Sequence, residues 1–286
     1  MHMQKLIDHE PKRIFTFGCS FTRYYWATWA NILGAEFPNA KFYNLGRWSA
    51  GNTYIHNILI QADIVYKFNK NDLVIVEWTS PFRFDRYLKD KWVTTGNMYT
   101  QTVFPNIDSE TFFSTYGSYV EDLALIQSAY KAFKDTTQFH MIKMISFNEK
   151  DYKIIDLYED VCKQIHPSFF EVLWNDDIEI KYKKDEKLIH RDFKNGHPFP
   201  SEHFEYLKKT FDHNWSNNTI NEVNKCNSKL IELLKDATVK GHINNNRSDE
   251  KLTTFLKSMN LHNRIGVEET YHIRLQNRFN KRIHRI

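Results

Sequence analysis

Apolar runs alternate with amphipathic stretches along the first half of the chain. Runs rich in β-branched and aromatic residues predict buried parallel strands over 14–18, 41–46, 73–78 and 138–147. A helix is expected over 21–37, and apolar residues within 55–66 and 120–133 recur at the spacing of one helical face. Such alternation requires crossover connections. We therefore expect an α/β fold, a three-layer α/β/α sandwich with a mainly parallel, flavodoxin-like sheet.

The second half of the chain is more polar and predicts helices rather than further strands. Residues 151–189 are helical in composition and then charged, and the pattern from 214 onward is again helical and polar. We predict an α/β domain over 12–213 and a helical C-terminal extension over 214–286. The extension is expected to cap the domain or to join a neighbouring subunit, which would give a homo-oligomer through the C-terminal helices.

Composition narrows the class of protein. Of the 286 residues 41% are hydrophobic and 15% aromatic, too many for a disordered chain, and no apolar run is long enough for a membrane span. An odd number of cysteines argues against a disulfide framework, and no secretion signal is visible, so a cytoplasmic protein without membrane contact is expected.

Charge adds little to this picture. A net charge of +4 is too small to indicate nucleic acid. Basic residues do crowd the C-terminal end, at Arg264, Arg274, Arg278, Lys281, Arg282 and Arg285. Such a run is typical of a solvated helix face or tail, and binding of an anionic partner is the less favoured interpretation.

A serine follows the first predicted strand directly, in Phe17-Gly18-Cys19-Ser20-Phe21-Thr22. At the start of a helix, Ser20 would expose its hydroxyl while backbone N–H groups point toward any oxyanion formed there. The alternative is a simple helix cap, for which serine is favoured in any protein.

Polar residues also follow the second predicted strand. Gly46 and Gly51 could each offer a backbone N–H to a ligand, and Asn52 could add an amide donor. The alternative is a glycine turn with an asparagine cap.

The segment 77–83 follows the third predicted strand. Thr79 or Ser80 could donate to an oxyanion or a polar substrate, and Arg83 could hold an anionic or sugar group. An ordinary turn, with Glu77 paired to a buried base, is the alternative.

A histidine lies in a loop framed by glycine and proline, in Asn195-Gly196-His197-Pro198. Its ordinary pKa lies near neutrality, so His197 is a candidate general base. His203, one helical turn further on, is the competing candidate, and either histidine could instead bind substrate or be structural.

Together these four elements resemble, in order and separation, the sequence blocks of the SGNH (GDSL-like) hydrolases, over approximately residues 12 to 210. The resemblance implies that Ser20 is the nucleophile, that Gly51 or, less favoured, Gly46 supplies an oxyanion-hole N–H, and that His197 is the base. The chain departs from the family where residues 77–80 replace the third-block asparagine. It departs again where Asn195 replaces the acid that orients the histidine, a place that Asp192 could take instead.

The resemblance implies an esterase that removes a small O-acyl group, acetyl being favoured, from a carbohydrate or similar alcohol. No metal or diffusible cofactor is required, and a small-molecule or glycan ester is the expected partner. An aromatic cluster near the predicted cleft suits a sugar: Tyr24, Tyr25, Trp26, Trp29 and Trp48. The alternatives are an O-acetyltransferase on a glycan using the same residues, and an inactive binding or structural protein on the same scaffold.

Overall fold

Four parallel strands form the central sheet in the order β3-β2-β4-β7. They are β2 (Arg13–Phe17), β3 (Lys41–Asn44), β4 (Asp72–Trp78) and β7 (Gln138–Lys143). The structure is a computed structural model that describes residues 3–88, 91–97, 115–147, 153–189, 195–236 and 254. All seven residues of β4 are buried, as expected for a central strand covered on both faces. The four predicted strands are therefore present, each within a few residues of its expected limits.

Helices cover both sides of this sheet. They are α1 (Trp29–Glu36), α2 (Asn52–Tyr66), α3 (Thr115–Phe133), α4 (Ile154–Leu157), α5 (Glu159–Cys162), α6 (Phe169–Trp174), α7 (Ile178–Leu188), α8 (Pro200–Thr210) and α9 (Asn217–Leu234). Helices α2 and α3 pack on each other, while α1 packs on α8 and α9. Right-handed crossovers place these two groups on opposite faces of the sheet. The predicted α/β fold with a mainly parallel sheet is confirmed.

The segment after β2 departs from the helix predicted over 21–37, because α1 begins only at Trp29. Residues 19–23 instead make a tight turn, in which the N–H groups of Thr22 and Arg23 donate to the carbonyl oxygen of Cys19 at 3.1 and 3.2 Å. The side chains of Thr28 and Asn44 then donate to the carbonyl oxygen of Thr22. Ser20 thus lies on a fixed turn rather than at a helix start.

An antiparallel hairpin, which the sequence analysis did not anticipate, follows β4. Strand β5 (Arg83–Leu88) pairs with β6 (Lys91–Asn97). The hairpin supports the loop after β3, since Arg47 donates to the carbonyl oxygen of Trp92 at 2.8 Å and Thr94 donates to that of Trp48 at 3.0 Å. The loop that carries Gly46 and Gly51 is therefore held from outside the sheet.

A short two-stranded sheet joins the N-terminal residues to the segment that follows α8. Strand β1 (Gln4–Lys5) pairs with β8 (Phe211–Asp212), so residues before 12 pack with the predicted α/β domain. In the predicted extension, α9 buries a stripe of small and aliphatic side chains, namely Val223, Cys226, Leu230 and Leu234. The basic residues 264–285 lie outside the described residues. None of the helices in the described ranges combines the length and apolar character that crossing a bilayer requires.

Candidate active site

The hydroxyl of Ser20 meets the imidazole of His197 at the carboxyl end of β2. The Ser20 Oγ lies 2.8 Å from the His197 Nε2, although 177 residues separate them in the chain. This distance is that of a hydrogen bond, so the ring nitrogen can accept the hydroxyl proton. The structure brings together the serine and the histidine that the sequence analysis favoured.

Asn195 fixes the orientation of that imidazole. Its Oδ1 lies 2.8 Å from His197 Nδ1 and also accepts the backbone N–H of His197 at 2.9 Å, while its Nδ2 donates to the Tyr24 hydroxyl at 2.9 Å. Because the amide oxygen faces the ring, Nδ1 carries the proton and Nε2 is left free to accept from Ser20. An amide in place of the acid therefore still holds the tautomer that a general base needs.

Aromatic packing holds the His197 loop in place. The ring of Tyr24 stacks on the imidazole at 3.7 Å between centroids and an angle of 11°. The indole N–H of Trp26 donates to the carbonyl oxygen of Pro198 at 2.7 Å, and the carboxylate of Glu202 accepts the backbone N–H of Phe199 at 2.9 Å. Glu202 lies in the first turn of α8, where a carboxylate is favourable. Both ends of the loop are thereby anchored.

Burial keeps the imidazole neutral. Loss of solvation, together with the positive charge of Arg83, lowers the pKa of His197 to about 3. Neutral imidazole is the form that accepts a proton, so the base stays in its working form well below neutral pH. A low pKa also makes it a weaker base than an ordinary histidine.

A carboxyl group lies directly behind the Ser20 turn. Both Thr22 Oγ1 and Cys19 Sγ donate to the carboxyl group of Glu77, the latter at 3.2 Å. Burial raises the pKa of Glu77 to about 7 and that of Cys19 to about 11, so the thiol is a donor and not a nucleophile. No basic side chain of the described residues forms an ion pair with Glu77, the alternative considered from the sequence, although the charge of Arg83 acts to lower its pKa.

The two candidate glycine donors are both occupied. The N–H of Gly51 donates to both carboxylate oxygens of Asp85, at 2.9 and 3.0 Å, and the N–H of Gly46 donates to Asn44 Oδ1 at 3.0 Å. The assignment of Gly51 to the oxyanion hole is therefore corrected: its N–H caps the start of α2 through Asp85. Asp85 could not be recognised from the sequence, because its partners lie 31 and 34 residues away.

Asn52 is also committed within the fold. Its Oδ1 accepts the backbone N–H of Thr79 at 2.8 Å, and its Nδ2 donates to the carbonyl oxygen of Thr79 and to Asp122. The hydroxyl of Thr79 points to the Sδ of Met144 at 3.7 Å. These two predicted donors therefore tie α2 to the end of β4 instead of facing a ligand.

The remaining residues of the third element lie at the end of β4. Ser80 Oγ accepts the backbone N–H of Phe82 at 3.2 Å. The guanidinium of Arg83 donates to the carbonyl oxygen of Ala50 at 3.1 Å and contacts Met144 Sδ at 3.5 Å. Arg83 thus bridges the loop after β3 and the end of β7.

His203, the competing candidate for the base, makes no hydrogen bond to Ser20 in the described structure. His203 is fully buried on α8, edge-on to Phe169 at 5.5 Å and to Phe21 at 6.3 Å between centroids. Neither of its ring nitrogens has a hydrogen-bond partner among the described residues. His203 is a core residue, and the structure assigns contact with Ser20 to His197 alone of the two. Asp192 lies outside the described residues.

The described ranges contain no group of three or more His, Cys, Asp or Glu side chains arranged to hold a metal ion. The titratable groups of the site contact serine, threonine, asparagine and cysteine side chains instead.

Comparisons with known proteins give similar structures but no similar sequence. No family model matches the chain, and no curated protein matches it. A catalytic mutant of Axe2, an acetylxylan esterase from Geobacillus stearothermophilus, is 15% identical, with a TM-score of 0.38 over 74% of this chain and 98% of that one. A member of the lipolytic protein G-D-S-L family from Veillonella parvula is 14% identical, with a TM-score of 0.34 over 69% of this chain and 94% of that one. An α/β hydrolase from the metagenome of Lake Arreo is 14% identical, with a TM-score of 0.36.

Proposed function

We propose that the chain is a serine esterase of the SGNH type, with Ser20 as the nucleophile and His197 as the general base. The observation that carries the proposal is the line of hydrogen bonds from Ser20 Oγ to His197 Nε2 and from His197 Nδ1 to Asn195 Oδ1, both 2.8 Å long. A nucleophile, a base and a third group that orients the base are the arrangement that activates a serine.

The reaction would proceed in two steps. Ser20 Oγ attacks the ester carbonyl carbon while its proton passes to His197 Nε2, and the oxyanion collapses as the alcohol leaves with that proton. Water then attacks the acyl-serine, His197 takes its proton, and collapse releases the acid and restores Ser20. Asn195 holds the ring but carries no charge, so the imidazolium formed in each step is stabilised less than beside a carboxylate.

Aromatic side chains beside the site support a carbohydrate ester as substrate. The ring of Trp48 is 37% exposed and lies 4.3 Å from Tyr25 and 5.6 Å from Tyr24, which itself stacks on His197. A flat, partly exposed aromatic surface suits the apolar face of a sugar ring. We propose a small O-acyl group, acetyl first, on a sugar or similar alcohol.

The test is hydrolysis of p-nitrophenyl acetate by the wild type and by Ser20→Ala and His197→Ala. Each substitution is expected to lower the rate about 10³-fold or more, because nucleophile and base act as a unit. The chain offers a matched control in a second serine–histidine pair, since the Oγ of the exposed Ser128 on α3 lies 2.9 Å from the Nε2 of His56 on α2. Ser128→Ala and His56→Gln should leave the rate unchanged. Full activity in Ser20→Ala would contradict the proposal.

A further inference from the structure

The proposed reaction needs hydrogen-bond donors for the oxyanion, and the fold has engaged most of the expected ones. The N–H of Gly51 is held by Asp85, and the amide of Asn52 is held by Thr79 and Asp122. No residue in the described ranges accepts a hydrogen bond from the backbone N–H of Ser20. A single backbone N–H leaves the developing charge under-stabilised, since each lost donor costs about 10²–10³ in rate.

Arg83 places a positive charge beside the nucleophile turn. Its Nη1 donates to the carbonyl oxygen of Ala50 at 3.1 Å, and its Nη2 lies 3.5 Å from Met144 Sδ. The same sulfur lies 3.6 Å from the Sγ of Cys19, the residue before Ser20. The guanidinium therefore lies at the carboxyl end of β4, at the same edge of the sheet where Ser20 follows β2.

This guanidinium forms no ion pair with a carboxylate of the described residues, since no Asp or Glu oxygen among them lies at ion-pair distance from Arg83. Arg13 shows how an arginine with a structural role is bound in this fold, because its guanidinium donates to the carboxylate of Asp72 at 2.6 and 2.7 Å. Arg83 makes two contacts with uncharged acceptors and carries five N–H donors, so donors remain for a ligand. Its charge also acts at longer range on the buried carboxyl groups of Glu77 and Asp85, where it opposes the rise that burial causes in the pKa of each.

The charge of Arg83 already acts on the site. After desolvation, it is the largest influence that lowers the pKa of His197. A charge that disfavours a second positive charge on His197 also favours a negative charge on an atom bound nearby. The tetrahedral oxyanion on the acyl carbon attached to Ser20 is such an atom.

We propose that Arg83 is a catalytic residue that stabilises the oxyanion together with the backbone N–H of Ser20, in the place of the asparagine that the third element lacks. This inference rests on the proposed esterase function. The arginine donates hydrogen bonds to the carbonyl oxygen as it becomes negative and transfers no proton. Its contribution therefore appears in the transition state and not in binding of the neutral ester.

The experiment compares Arg83→Gln and Arg83→Lys with the control Arg86→Gln, an exposed arginine on the same strand. For p-nitrophenyl acetate, Arg83→Gln is expected to lower kcat about 10²–10³-fold with KM nearly unchanged. The acid limb of kcat/KM should move to higher pH, because the charge that lowers the pKa of His197 is gone. Arg83→Lys keeps the charge and should leave the acid limb in place while recovering part of kcat. Arg86→Gln should behave as wild type.

Two results would overturn the assignment. If either folded Arg83 variant keeps kcat and raises KM, Arg83 binds the ground state and not the oxyanion. If Arg83→Gln does not fold, as judged by circular dichroism, the split between kcat and KM in Arg83→Lys decides in the same way. Ser20→Ala is measured alongside: if wild type and Ser20→Ala are equally inactive, the proposed function itself fails, and the Arg83 assignment fails with it.

Discussion

In Asn195→Asp, the uncharged side chain that orients the imidazole of His197 should be replaced by a negatively charged one. The geometry favours the exchange, since a carboxylate at the same position can accept the two hydrogen bonds that Oδ1 now accepts from His197. The Tyr24 hydroxyl, which now accepts from Nδ2, can rotate and donate to the new carboxylate. Burial raises the pKa of Tyr24 to about 12, so this hydroxyl keeps its proton.

The expected rise in the pKa of His197 follows from the attraction between its protonated ring and the new carboxylate. Two unit charges about 4 Å apart interact by about 4 kcal/mol at an effective dielectric constant of about 20, equivalent to about three pKa units. The new carboxylate must itself be desolvated, which offsets part of this energy, so we expect a rise of about 1–2 units. Since the pKa of His197 now lies at about 3, it would reach about 4–5.

The assay is the pH dependence of kcat/KM for p-nitrophenyl acetate, which reports the pKa of the base in the free enzyme. Wild type should stay active below pH 5, because the neutral imidazole persists there. Asn195→Asp should lose activity on the acid side about 1–2 pH units sooner and, as a stronger base with a stabilised imidazolium, react faster at pH 7. An unmoved acid limb, or a large loss at pH 7, would refute the role given to Asn195.

Three further predictions concern the structure around the site. Gly18→Ala should cost more than about 2 kcal/mol in urea unfolding, because Gly18 has φ +156° and a Cβ there would clash with Thr22 and lie 2.6 Å from Glu77 Oε2. Asp85→Ala should cost about 1–3 kcal/mol in the same assay, since the start of α2 loses its carboxylate acceptor. The pKa of His203 lies well below its usual value, so its ring is protonated below about pH 6.5 only on unfolding; His203→Leu should therefore gain about 1.4 kcal/mol relative to wild type between pH 7 and pH 5.5.

The strands were predictable because burial on both faces leaves a nearly continuous apolar run, which over 73–78 is interrupted only by Glu77. The run at 73–78 corresponds to β4, whose seven residues are all buried. The conformation of segment 21–28 was not predictable, because its aromatic residues make tertiary contacts and do not form one face of a helix. Tyr24 stacks on His197 and Trp26 donates to Pro198, partners more than 170 residues away, and no local pattern reveals such contacts.

The site was predictable where a short motif marks one side chain. Ser20 follows a strand, His197 lies in a loop framed by glycine and proline, and the structure brings the two to 2.8 Å. The oxyanion donors depend instead on which N–H groups other elements have already engaged. Gly51 is excluded only by Asp85, which lies on a hairpin that the sequence analysis did not predict. The aromatic and β-branched run Trp92-Val93-Thr94-Thr95, stopped by Gly96, is the signal that could have indicated that hairpin.

The site at which a fluorophosphonate probe reacts shows most directly whether Ser20 is an activated nucleophile. We expect a single covalent adduct, located by peptide mass spectrometry on Ser20, that is absent in Ser20→Ala and strongly reduced in His197→Ala, with Ser128→Ala labelled as wild type. A folded wild-type protein that is not labelled, or that is labelled equally in Ser20→Ala, would contradict the assignment of Ser20 as an activated nucleophile.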